Sequence, residues 1–213
     1  MPQDSSSSQS FRVLVIVSRP LDLQDLQDLP NIADQSALLG GLRRVNAPAF
    51  LKILSPPTVE GIRTQILSGY DIVHFDGHGF FGLRCPNCGG LNPPEQKKCG
   101  RCKCLLEGEN AKGYFAFERE DGKLDSLAAE ELAEIVMSAP EHPTKLVFLS
   151  ACESAKGGNA SLQNVLLVKG VPAVLGFNER IPVNATMALA EPFYAGLGAG
   201  MTIAKAFETA CLL

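Results

Sequence analysis

Short apolar runs alternate with amphipathic stretches along most of the chain. Short apolar runs such as FRVLVIV at 11–17, which is rich in β-branched residues, and TKLVFLSA at 144–151 are typical of strands buried on both faces of a parallel sheet. Similar runs predict strands at 48–54, 70–75 and 171–177. This alternation of strand and helix predicts an α/β fold with a mostly parallel central sheet and helices on both of its faces.

Helices are predicted between these strands, where apolar residues recur with helical spacing. The pattern indicates them at 31–45, within 55–69, at 127–138 and at 160–169, with two more within 184–213. Thr58 precedes the second of these helices as a plausible N-cap. The segment 112–126 differs, because its alternating pattern around Asp121 and Gly122 predicts a β-hairpin.

Composition and charge narrow the classes of function. Of the 213 residues 46% are apolar and 20% are charged, as in ordinary globular proteins, and a net charge of −4 argues against coating nucleic acid or an anionic membrane. No run approaches the roughly 18 apolar residues of a membrane span. Residues 1–10, MPQDSSSSQS, lack the features of a signal peptide and are predicted to be a disordered leader. We therefore expect a cytoplasmic protein with no membrane partner.

Five of the seven cysteines lie between residues 85 and 104. Such clustering, without an export signal, favours a reducing compartment and metal ligation over disulfides. The pattern C-x2-C-x10-C-x2-C predicts one structural zinc ion, with iron as the alternative, bound by Cys85, Cys88, Cys99 and Cys102. Cys104 could replace Cys102 as a ligand. Four sulfur ligands leave no open coordination position, so this metal is not expected to do chemistry.

These cysteines define a small insertion, a zinc ribbon over 84–105. It is basic, since a single acidic residue, Glu95, stands against Arg84, Lys97, Lys98, Arg101 and Lys103. The favoured interpretation is a solvated surface. Docking of an acidic partner or of nucleic acid is the alternative.

Two short stretches carry candidate catalytic residues, HFDGHGF at 74–80 and FLSACES at 148–154. His78 and Cys152 lie 74 positions apart, and the cysteine segment 85–104 accounts for 20 of these. Without that segment the separation is close to the roughly 50 residues by which a catalytic His precedes the catalytic Cys in one group of proteases. Both follow predicted strands, and sites in open parallel sheets form beyond the carboxyl ends of strands.

This pairing predicts a nucleophile and its base. A nearby imidazole promotes thiolate formation at Cys152 and later protonates the leaving amine. Gly77 and Gly79 are expected to let the chain turn sharply and to leave His78 open to substrate. The backbone N–H groups of Gly79 and Cys152 are predicted to form the oxyanion hole. His74, within a strand, is predicted to be a core residue.

Three segments closely resemble the CHAT domain family of caspase-like cysteine peptidases, in the caspase, separase and metacaspase clan. They are YDIVHFDGHG, GYFAFEREDGKLDSLAAEELAEIV and LVFLSACESAKGG, and weaker resemblance extends over 11–213. The resemblance implies a caspase-like three-layer α/β/α sandwich and endopeptidase activity on protein substrates. By motif position, His78 is the general acid/base and Cys152 the nucleophile.

The resemblance also bears on partners and biology. CHAT domains are often fused to helical repeats and linked to regulated proteolysis, of the defence or cell-death type, in prokaryotes. We therefore expect a protein substrate and an activating protein or a helical-repeat partner. The ribbon departs from many relatives. Because it begins only a few residues after His78, it is expected beside the active site as an exosite or lid, or alternatively as a stabilising loop.

Substrate preference stays open at this point. Arg19 would favour an acidic residue before the cut and Asp22 a basic one, and Glu153 is a third candidate for the pocket. Two other functions remain as alternatives to the peptidase. One is a catalytically latent scaffold whose ribbon binds a protein or nucleic acid, and the other is a thiol acyltransferase using the same pair.

Overall fold

The computed structural model describes residues 10–23, 33–108, 110–180 and 182–213. The predicted leader therefore lies outside the described residues, apart from Ser10. A five-stranded parallel sheet forms the centre of the molecule, in the order β2-β1-β3-β8-β9. Its strands are β1 (Phe11–Val17), β2 (Ala49–Leu54), β3 (Ile72–Asp76), β8 (Leu146–Ser150) and β9 (Val174–Leu175).

Helices cover both faces of this sheet, which confirms the predicted three-layer α/β/α fold. One face packs against α2 (Val59–Ile66), α3 (Ala129–Val136) and α4 (Leu162–Val168), and the other against α1 (Ala33–Arg44), α5 (Val183–Gly198) and α6 (Ile203–Ala210). Side chains alternate along each strand, so that Leu14 and Ile16 of β1 enter the first core while Val13 and Val15 enter the second. In the described part of the chain no helix is long and apolar enough to cross a bilayer.

Local signals explain several element boundaries. Thr58 caps α2 as predicted, since its hydroxyl accepts a hydrogen bond from the Gly61 N–H at 3.0 Å. The predicted hairpin forms from β6 (Lys112–Glu118) and β7 (Leu124–Ala128), with Gly122 in the left-handed region at φ 74°. The strand predicted at 171–177 is reduced to the two residues of β9.

A second sheet, not predicted from the sequence, links the central sheet to the cysteine segment. It is antiparallel, in the order β5-β4-β6-β7, and adds β4 (Gly79–Arg84) and β5 (Leu91–Asn92) to the hairpin. Phe115 and Phe117 of β6 enter the first core and stack edge-on against Phe75 of β3. This packing fixes the second sheet against the carboxyl end of the central one.

The cysteine segment has its own small apolar cluster, built from Leu83, Cys85, Cys99 and Leu106. It lies at the far end of β4, and at about 3.3 Å per residue this strand carries the chain roughly 20 Å from Gly79 to Cys85. The expectation that the ribbon emerges beside His78 is therefore wrong, because the residues between them form an extended strand instead of a loop.

Candidate active site and cysteine cluster

His78 and Cys152 follow two strands that are neighbours in the central sheet. Strands β3 and β8 are parallel and pair Asp76 with Ser150, and the Gly77 N–H donates to the Ser150 carbonyl at 3.2 Å. His78 and Cys152 thus hold equivalent positions, two residues beyond the last pair. Both side chains are half-buried. The sheet therefore brings the two candidate catalytic residues to one edge.

The glycines beside His78 serve close packing. A Cβ on Gly79 would overlap the carbonyl oxygen of Cys152, and one on Gly77 would lie 2.9 Å from the Phe115 ring and 3.1 Å from the Ser18 carbonyl oxygen. Neither glycine has a positive φ. The chain does bend at Gly77, between β3 and β4, but lack of space, and not a left-handed backbone, explains why side chains are missing at both positions.

The backbone around His78 is held between two sheets. The Ala116 N–H donates to the His78 carbonyl at 3.0 Å, while Gly79 pairs with Phe115. In an antiparallel ladder this arrangement makes Gly79 and Phe115 a non-hydrogen-bonded pair. The Gly79 N–H therefore points away from β6, toward the outer edge of β4, as a donor to a substrate oxygen would need.

The ring of His78 has a lowered pKa. Burial is the larger cause, and the positive charge of Arg19 adds to it. Both effects disfavour the imidazolium, so His78 is neutral over more of the pH range and can accept a proton.

Arg19, a predicted pocket residue, is held by contacts within the protein. Its guanidinium donates to the Asp76 carboxylate at 2.6 Å and to the carbonyls of Ser18 and Asp76, each at 2.8 Å. Its backbone N–H donates to the Glu118 carboxylate at 2.7 Å. The side chain is only 18% exposed. Arg19 thus forms part of the wall beneath His78, with its charge balanced by Asp76.

The other two pocket candidates also have internal partners. The carboxylate of Asp22 accepts a hydrogen bond from the Leu124 N–H at 2.7 Å. Glu153 adopts a left-handed backbone with φ 55°, and its carboxylate lies 3.0 Å from Lys156 and 3.9 Å from Arg180. Each of the three charges considered for substrate selection is therefore already engaged.

Ser154, which the sequence analysis did not single out, anchors the loop that follows Cys152. It is fully buried, and its hydroxyl accepts a hydrogen bond from the Phe177 N–H at 2.9 Å. The Ala155 N–H donates back to the Phe177 carbonyl at 2.9 Å. These bonds tie the loop to the end of β9. In the sequence, only the position of Ser154, two residues after the candidate nucleophile, could have indicated this anchoring role.

His74 lies in the core, as predicted. Its ring is fully buried, stacks on Phe148 at 4.7 Å between centroids, and has Nδ1 2.8 Å from the Tyr194 hydroxyl. The first histidine of the motif therefore has a packing role.

The sulfur atoms of Cys85, Cys88, Cys99 and Cys102 lie within 4.8 Å of one another. Two loops present them. In the first, the Gly89 N–H donates to the Cys85 carbonyl at 2.9 Å, and in the second the Lys103 N–H donates to the Cys99 carbonyl at 3.0 Å. Gly89 and Lys103 share a left-handed backbone, with φ 69° and 63°. The loops are thus equivalent, and four thiols converging on one point can hold a metal ion.

The same equivalence distinguishes Cys104 from Cys102. The Cys85 N–H donates to the Gly90 carbonyl and the Cys99 N–H to the Cys104 carbonyl, so Cys104 takes the place that Gly90 has in the first loop. The Cys102 sulfur is one of the four that converge, whereas the Cys104 sulfur is not, so Cys104 stays outside the set of four.

Comparison with known proteins shows which family the chain resembles. A family model described as "CHAT domain" matches residues 2–212 of the chain. A comparison with curated proteins gives no significant match.

Proposed function

Because the chain belongs to the CHAT domain family, which is associated with cysteine peptidase-like proteins, we propose that it is a cysteine endopeptidase acting through His78 and Cys152. The observation that carries the proposal is their equivalent position beyond the paired strands β3 and β8. A scaffold has no physical need for a base and a thiol at one sheet edge.

The proposed reaction begins with proton transfer from the Cys152 thiol to the neutral His78 ring. The thiolate sulfur bonds to the carbon of the scissile carbonyl. The carbonyl oxygen becomes negatively charged and accepts hydrogen bonds from the N–H groups of Gly79 and Cys152. His78 then gives its proton to the leaving amine. Water hydrolyses the acyl-enzyme, with His78 as base. The lowered pKa of His78 supports the first step, because a protonated ring could not accept the thiol proton.

The outer edge of β4 supports binding of an extended protein substrate. The backbone groups of Gly79 and Phe81 face away from β6, and within the described chain β5 pairs this edge only at Leu83 and Arg84. An extended segment can add to such an edge as a further strand. The edge begins one residue after His78, so a peptide bound there would enter the site in extended form.

The charges near the site favour an uncharged residue before the cut. Arg19, Asp22 and Glu153 are each engaged by neighbours, so a charged substrate residue would have to displace an existing bond. We therefore propose an apolar or neutral preference.

For the cysteine cluster we propose one zinc ion bound by Cys85, Cys88, Cys99 and Cys102. The residues present fit this metal, because four thiolates within a small sphere match its tetrahedral preference. Zinc there would supply folding energy to a segment with almost no apolar core. Regulated proteolysis of the defence or cell-death type in the cytoplasm, with an activating or helical-repeat partner, remains our proposal for its biological setting.

Thiol reactivity tests the pair without a known substrate. Zinc-loaded protein is reacted with iodoacetamide between about pH 5 and 9, and labelled sites are quantified by mass spectrometry. Cys152 should react rapidly in the wild type and slowly in His78→Ala, whereas exposed Cys211 serves as an internal reference. His142→Ala, which changes the remote, exposed third histidine, is the matched control. Equal Cys152 rates in all three proteins would contradict an assembled pair.

Product analysis then separates the remaining alternatives. A proteome-derived peptide library is incubated with the wild type and with Cys152→Ala, and new peptide N-termini are counted. New N-termini specific to the wild type support the peptidase. Acyl groups transferred to acceptor peptides without cleavage would indicate the acyltransferase. A reactive pair with neither product would indicate a latent enzyme awaiting its activator.

A further inference from the structure

Cys104 is a fifth thiol in contact with the cysteine cluster. Its Sγ lies 3.4 Å from Cys85 Sγ, as close as Cys102 Sγ at 3.5 Å, yet it is not among the four sulfurs that converge. We propose that Cys104 is a resolving cysteine, which forms a disulfide with Cys85 when a peroxide oxidises the ribbon. The proposal rests on the zinc site proposed above.

Backbone geometry holds the fifth thiol in place. A Cβ built on Gly90, the equivalent position of the first loop, would lie 3.4 Å from Cys88 Sγ and 3.9 Å from Cys99 Sγ. A side chain at this position of either loop is therefore directed at the cluster. The first loop has Gly90 at this position and the second has Cys104. Only the second loop therefore adds a further sulfur atom beside the cluster.

An open cleft is lined by one member of the reacting pair, Cys85. It has a volume of about 690 Å³, lies between the ribbon and the start of α3, and is lined in part by Arg84, Cys85, Lys112 and Glu130. Cys85 itself is almost fully buried, whereas Cys104 is half-buried. Because Cys85 contributes to the lining of this cleft, the cleft is the side from which a small peroxide would approach it.

The reaction balances with hydrogen peroxide as oxidant. The Cys85 thiolate attacks one peroxide oxygen, the O–O bond breaks, and a sulfenic acid and hydroxide result. The Cys104 sulfur then attacks the Cys85 sulfur, the S–O bond breaks, and the Cys104 proton leaves with the hydroxyl as water. Each sulfur loses one electron and the peroxide gains two. Disulfide formation withdraws the Cys85 sulfur from the metal, so the four-sulfur site is lost and the ribbon should unfold.

The test uses the full, zinc-loaded chain and follows zinc release with a chromogenic chelator during peroxide treatment. The wild type should release zinc and form a Cys85–Cys104 disulfide, mapped by mass spectrometry and reversed by dithiothreitol. Cys104→Ser should release zinc about tenfold more slowly, since no resolving thiol remains. Cys211→Ser, which removes a remote exposed thiol, should match the wild type.

Zinc content before oxidation separates the two proposals. Failure of the wild type to bind one zinc ion would refute the metal site itself. If Cys104→Ser binds less zinc than the wild type, Cys104 is a ligand and its proposed resolving role is wrong. The role is equally wrong if Cys104→Ser binds one ion and releases it at the wild-type rate.

Discussion

Arg19 Nη2 lies 2.6 Å from Asp76 Oδ1, and Asp76 stands two residues before His78 at the end of β3. The pair joins β1 to β3 directly beneath the candidate site. Burial of the ring and the Arg19 charge together lower the pKa of His78, and both are present without a substrate. The electrostatics of the site are therefore a property of the folded domain itself.

Replacing Arg19 should shift the pH dependence of Cys152 reactivity. Arg19→Met removes a positive charge that lowers the pKa of His78, so this pKa should rise toward its ordinary value. A ring that stays protonated to higher pH cannot accept a proton there, so the acid limb of the alkylation profile should move to higher pH. Arg43→Met, at an exposed end of α1, is the control and should leave the limb in place. An acid limb that moves to lower pH would contradict this assignment.

Adding a methyl group at Gly79 should disrupt the site. In Gly79→Ala the new Cβ overlaps the Cys152 carbonyl oxygen, a backbone atom that cannot move without shifting the candidate nucleophile. We expect a loss of about 1–3 kcal/mol in the free energy of unfolding and a marked fall in Cys152 alkylation. Denaturant unfolding and labelling rates measure the two effects.

Gly40→Ala is the matched control for that substitution. Gly40 lies within α1, where the nearest contact for a Cβ is the Glu191 carboxylate at an ordinary 3.5 Å. Alanine should stabilise the helix by about 0.5–1 kcal/mol and leave labelling unchanged. Loss of labelling in both variants would mean that the Gly79 effect is not local.

Removing the Ser154 hydroxyl should loosen the loop that carries Cys152. In Ser154→Ala the Phe177 N–H loses its acceptor, at a cost of about 1–3 kcal/mol in the free energy of unfolding. Hydrogen exchange should speed up at Phe177 and in the loop after Cys152. Ser154→Thr is the control, because it keeps a hydroxyl acceptor. If exchange were unchanged in Ser154→Ala but faster in Ser154→Thr, packing around the side chain, and not the hydrogen bond, would hold the loop.

Chelation of the proposed zinc should unfold the ribbon and leave the central sheet intact. The apolar cluster of the ribbon is separate from the two cores on either side of the sheet. Hydrogen exchange should therefore show lost protection over 85–106 and retained protection in β1, β3 and β8. Added Zn²⁺ should restore protection, whereas Mg²⁺, which prefers oxygen ligands, should not. Full protection after chelation would show that the ribbon folds without metal.

Much of the architecture was predictable because buried parallel strands have a strong apolar signal. The sequence GFFGLR, with two glycines in six residues, carries no such signal, and it becomes β4 only through pairing with β6 and β5. The convergence of His78 and Cys152 followed from strand order alone.

The contacts of the charged residues were less predictable. Arg19 meets Asp76 because β1 and β3 pair Val17 with Asp76, a register that no local pattern specifies. The choice between Cys102 and Cys104 likewise depended on a left-handed backbone at Lys103, a residue type that seldom adopts it.

The ribbon is, in topological terms, the loop of a β-hairpin. Strands β4 and β6 are antiparallel neighbours, and Gly82 pairs directly with Lys112, so the chain leaves and returns at adjacent points. The segment between these two residues is therefore attached to the domain through the single residue pair Gly82–Lys112, and it has its own cluster of apolar side chains. A short turn could close the same hairpin, and a different module with adjacent termini could be grafted there without altering the strands that hold His78. What is attached at this point of the fold is therefore independent of the strands that present the candidate catalytic pair.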